Sequence, residues 1–173
     1  MRRCEHQKIA AGFLFRYRFR KKSPSIYQMT CLFTIRSGTC VEGESGRKYR
    51  LLSPLSKSPS NVWKAIDAQD EYLEYVVKAP NNHDDVSLDW PLFRHEIQMQ
   101  RRFNKSPLIR QMIDFVPHSN STPPIAVLQA FEMSLWNARN RRHFALDEIK
   151  WIMKAVLIAL WTIHREGLVY SGA

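Results

Sequence analysis

Apolar residues recur with two different periods along this chain, and the change of period divides it into elements. Between residues 49 and 131, short apolar runs are separated by polar or proline-bearing turns. They predict strands over 49–52, 62–66, 75–78, 108–116 and 125–131. Tyr75, Val76 and Val77 are strand formers, and Lys78 follows them directly, so its ammonium rides at the end of an apolar strand. The period becomes helical over 90–103, where Leu92, Glu96, Met99 and Phe103 fall on one face, with Pro91 suited to the first turn and Asp89 to an N-cap. Residues 134–139 predict a short helix capped by Ser134. The strongest helical signal spans 146–166. Ile149, Ile152, Met153, Val156, Leu157, Leu160 and Ile163 keep a three–four rhythm, and Ala155, Ile158, Ala159 and Trp161 add apolar surface on the other flank. Gly167 terminates this helix, whereas Ala145 stands where a capping-box Ser or Thr would precede Glu148. A helix apolar nearly all round expects burial.

Composition narrows the class. A length of 173 residues with 45% hydrophobic and 12% aromatic content supports one folded domain with a tail. The net charge of +10 is uneven, because twelve Lys/Arg and three Asp/Glu lie at or before Arg50. The basic character therefore belongs to residues 1–46, read as a basic, poorly ordered tail, and the folded part to 47–173. Three cysteines with no C-x-x-C spacing fit an intracellular, reduced protein without a zinc site. No apolar run is long enough for a transmembrane segment.

Within the tail, Phe13, Phe15, Tyr17 and Phe19 alternate with Arg16, Arg18 and Arg20. The plainest reading is an unstructured, adhesive segment. A mitochondrial presequence and a basic stacking surface for nucleic acid or an anionic membrane are the alternatives. Residues 42–46 read as a linker into the folded part.

Candidate chemistry centres on Lys78. A lysine held against apolar neighbours needs a partner, and the apolar face of the next helix offers Glu96. Strand lysine and inward-facing helix glutamate, with Val76-Val77-Lys78 standing where the family has V-A-I-K, resemble the protein kinases from about Tyr49 onward. The resemblance implies an α+β fold: a protein-kinase-like N-lobe of five antiparallel strands and an αC-type helix, then helices of an incomplete C-lobe. It implies ATP as ligand, with Lys78 and Glu96 on the phosphates. Val62, Ala65 and Leu128 become apolar walls for the base, and Gln129, Ala130 and Phe131 the hinge whose backbone meets the base edge.

The departures are as definite. Leu55, Lys57 and Ser60 stand where the family's phosphate loop has glycines, and Pro54 and Pro59 stiffen that turn, leaving Ser56, Ser58, Ser60 and Lys57 to meet phosphate through side chains. Tyr170, Ser171 and Gly172 occupy the approach to H-R-D, so the catalytic aspartate and the Mg2+ ligands have no counterpart in the sequence. The expectation is a truncated, pseudokinase-type chain that does not phosphorylate protein alone. A second expectation is a protein partner covering the apolar helix 146–166. The competing class is a non-enzymatic interaction module that uses the aromatic–arginine tail.

Overall fold

A computed structural model describes residues 35–55, 60–80, 90–119 and 122–170. Its elements run β1 (Cys40–Glu42), β2 (Lys48–Pro54), β3 (Val62–Asp67), β4 (Glu74–Lys78), α1 (Pro91–Arg102), β5 (Met112–Val116), β6 (Ile125–Gln129), α2 (Leu135–Arg141) and α3 (Leu146–His164). The aromatic–arginine run at 13–20, Ser56, Lys57, Ser58, Asp89 and the approach to H-R-D at 171–172 lie outside the described residues.

The fold is α+β, an antiparallel sheet followed by helices. Among the described residues six strands, not five, form one sheet in the order β1-β2-β3-β4-β6-β5, and every neighbouring pair is antiparallel. The added strand is β1, which lies inside the segment read as tail. Val41 is buried in the core and Ile35 packs against it, so the folded chain begins before residue 47. Residues 43–46, expected to be a linker, are the turn of the β1–β2 hairpin, closed by Gly43 N–H to Arg47 O at 2.9 Å and by Gly46 at φ +81°. A three-residue strand with one buried side chain leaves little periodicity to read.

Alternation along the strands sends side chains to two cores. On one face Tyr49, Leu51, Ala65, Tyr75, Val77 and Val127 close on each other inside the curl of the sheet. On the other, Val76, Met112, Ala126 and Leu128 meet Trp90, Phe93 and Ile97, so α1 lies over this face. The buried stripe of α1 is Phe93, Ile97 and Gln100, one position round from the expected stripe, and Leu92, Glu96 and Met99 flank it half-buried. The helix begins at Pro91, but its N-cap is Trp90 in the left-handed region (φ 42°, ψ 58°) with no side-chain cap. That conformation costs a non-glycine residue about 1–3 kcal/mol. It is offset by burial of the indole, 4.7 Å from the His118 ring.

The helical part matches expectation at α2, where Ser134 Oγ accepts from Asn137 N–H at 3.1 Å. At α3, half of the capping box survives the alanine, because the Glu148 carboxylate accepts from Ala145 N–H at 2.9 Å. Only Ala159 and Ile163 are fully buried there, against Phe103 and Ile109. Among the described residues no helix is long and apolar enough to cross a membrane.

Candidate functional site: a lysine–glutamate pair between β4 and α1

β4 sits between β3 and β6 and is flanked by both cores, which is why four of its five residues are buried. Lys78 ends it. Its side chain is 8% exposed and its ammonium bonds the Glu96 carboxylate, from a residue 18 positions along the chain that is 21% exposed. Two ions are thus taken largely out of water and set against one another. Removing one partner of such a pair costs about 3–5 kcal/mol when the other stays fully buried. Glu96 retains some solvent, so less is expected here. The contrast on the same sheet is Lys64–Glu74 at 2.6 Å, whose side chains are 37% and 51% exposed. That pair is screened and contributes little.

The strand register decides what surrounds Lys78. Val62 is its direct partner on β3 and packs with Val76, Ala126 and Leu128 on the α1 side of the sheet. Ala65 does not join them. Three positions from Val62, it points to the opposite face and is completely buried in the other core. The apolar neighbour that takes its place is Val76, two residues before Lys78 on the same face. Counting back by two from the lysine would have found it.

The expected hinge continues from β6. Gln129, Ala130 and Phe131 are all half-buried. Their position is held by Arg110, which sequence reasoning missed. Its Nε donates to Gln129 O at 2.8 Å and its guanidinium lies 5.3 Å from the centre of the Phe131 ring. Burial lowers the Arg110 pKa from its ordinary value. Gln100 donates a further bond to Arg110 O, and Gln129 N–H bonds Gln111 O at 3.0 Å. Nothing in the local sequence marks Arg110, because its partner is a backbone carbonyl 19 residues away.

The β2–β3 turn is described at its two ends. Leu55 is exposed and its N–H is bonded to Val62 O at 2.9 Å. The Ser60 hydroxyl donates to Val62 O at 2.7 Å and accepts from Val62 N–H at 3.3 Å. Ser60 is therefore engaged in shaping the turn. Among the described residues no group of three or more His, Cys, Asp or Glu side chains forms a metal site.

No family model matches the chain, and no curated protein matches it. Among solved structures it is similar to that of vaccinia related kinase 3, at 18% identity and a TM-score of 0.49. The match covers 79% of this chain and 44% of the other, so the chain spans less than half the length of that protein.

Proposed function

We propose that this chain carries a protein-kinase-like nucleotide-binding unit, in which Lys78 is the phosphate contact and Glu96 the group that holds it in place. The observation that supports the reading is the buried Lys78–Glu96 pair joining the end of an apolar strand to the helix laid over the sheet. An ammonium is costly to bury unpaired, and a carboxylate on the adjacent helix pairs with it and aims it. ATP fits the residues present in two respects. The lysine offers three donors to phosphate oxygens, of which the carboxylate takes one. Val62 and Leu128 are apolar and share its face of the sheet. Gln129, Ala130 and Phe131, steadied by Arg110, would meet the base edge. When bound, the nucleotide would supply a transferable phosphoryl group. The chain's own part is to bind and orient the phosphates. Cover of the 146–166 helix by a protein partner belongs to the same reading, because Met153 and Leu157 are exposed while Val156 and Leu160 are half-buried.

A thermal-shift titration with ATP tests this. At a hundredfold excess over Kd, linkage stabilises the folded state by about 2.7 kcal/mol, or roughly 5–10 °C for a chain of this size. Lys78→Met should abolish the shift, and Lys64→Met should leave it intact. An equal ATP response in wild type and Lys78→Met would refute the assignment.

A further inference from the structure

The two edges of the sheet are joined by a contact that the nucleotide reading does not use. β1 and β5 stand at opposite ends of the strand order, yet the turn after β1 reaches β5, where Glu44 N–H donates to Phe115 O at 2.8 Å. At the centre is Asp114, a carboxylate only 8% exposed. It accepts from the Tyr49 hydroxyl at 2.9 Å, from Phe115 N–H at 2.8 Å, from Ser45 N–H at 3.2 Å and from the Ser45 hydroxyl. The approach is so close that a Cβ on Gly43 would overlap the Asp114 carboxylate. The assembly also touches α1. Arg101, in its last turn, pairs with Glu44 at 3.0 Å and lies 5.2 Å from the centre of the Phe115 ring.

We propose that residues 43–46 are a latch that positions α1, and so Glu96, and that negative charge placed on Ser45 opens it. Asp114 accepts four bonds from three residues, and the residue that gives two of them, Ser45, is exposed. An anion at that position faces a buried carboxylate instead of donating to it, and like charges in contact at low dielectric repel strongly. Tyr49 is wholly buried and keeps Asp114 in place, so the turn is the part that yields. Its release breaks the Glu44–Phe115 bond and uncovers β5, whose Met112 and Phe115 pack in the core beneath α1. Ser45 and Asp114 are therefore positioning residues. Their consequence for ligand affinity rests on the nucleotide-binding reading, whereas their consequence for α1 does not.

Amide hydrogen exchange on the full chain tests the latch. Ser45→Asp is expected to speed exchange over 91–102 and 112–116 by roughly tenfold, with 62–67 unchanged, because sub-global opening is read segment by segment. Ser45→Thr keeps the hydroxyl and should behave as wild type. Ser45→Ala removes the hydroxyl bond to Asp114 without adding charge, and should speed exchange over 91–102 by about threefold. This variant decides the matter if Ser45→Asp fails to fold. Unchanged exchange over 91–102 in Ser45→Ala, or in a folded Ser45→Asp, overturns the proposal. An ATP titration run alongside separates the two ideas. A wild-type chain that ignores ATP defeats the nucleotide reading and leaves the exchange result standing.

Discussion

β6 and α3 are both strongly apolar, and they are treated oppositely. In β6, Ile125, Ala126, Val127 and Leu128 are all buried, because the strand lies between β4 and β5 with one core on each face. In α3, Ala159 and Ile163 are buried while Met153, Leu157 and Trp161 are more than half exposed. Its buried contact with the rest of the described chain sets Ala159 and Ile163 against Phe103 and Ile109. Its outward face carries Lys150 and Lys154 among Met153, Leu157, Ile158 and Trp161 and forms a shallow apolar hollow. An apolar residue contributes to stability only in proportion to the surface it loses to water. The difference between the regions is therefore one of packing partners and not of composition.

The contrast can be tested by truncation. Leu51→Ala, at a fully buried position facing the curled core, should destabilise the chain by about 2–5 kcal/mol in urea denaturation. Leu157→Ala removes the same atoms from a side chain that is 60% exposed and should stay within about 0.5 kcal/mol. Comparable losses at both sites would mean that the face of α3 is covered in solution.

A smaller effect sharpens the polar side of the comparison. Burial alone would raise the Asp114 pKa, but bonds from Ser45, Phe115 N–H and Tyr49 hold it below its ordinary value. The stability it contributes is complete above the unfolded carboxylate value of about 4 and is lost as pH falls through the lower folded value. Asp114→Asn should flatten the acid limb of a stability-versus-pH profile, and an unchanged limb would remove Asp114 from the account. Tyr49 shifts the other way, upward, through burial first and then its bond to Asp114. It stays a neutral donor throughout that range.

The smallest effect belongs to the start of α3. The Arg142 side chain makes two bonds to Glu148, at 2.7 and 2.6 Å, and together with the Ala145 N–H it holds the Glu148 pKa down to about 2. Both side chains are solvated, so Arg142→Ala should leave the unfolding midpoint unchanged within error. It should still move the Glu148 titration, followed by NMR, up toward about 4.

Much of the sheet was legible because alternation and turn chemistry are local. The strands at 62–67 and 74–78 appear nearly where the pattern put them, and the turn between them is shaped by Asx bonds, Gln69 N–H to Asp67 at 2.8 Å and Tyr72 N–H to Asp70 at 3.0 Å. Lys78 and Glu96 could be paired on paper, since strand end and helix face each follow from period. Ala65, which the family resemblance set beside Val62 as a wall for the base, stands at an odd offset from it, and alternation sends it to the other face. The stripe of α1 slipped by one position because its seam includes Gln100, a polar residue buried to reach Arg110 O.

What the sequence determined by itself was the order and type of the elements from β2 onward, and the presence of one lysine that apolar neighbours would hold. Those follow from side-chain size, branching and period within a few residues. Tertiary structure alone decided that the hairpin tip at 43–46 would cross to β5, that Asp114 would collect its donors from both edges of the sheet, and that Arg110 would brace Gln129 and Phe131. Each of these contacts joins residues far apart in the chain through a backbone group or a buried charge, and such partners leave no periodic trace. They exist because the sheet curls until its edges meet, and polar groups enclosed there must bond one another in place of water.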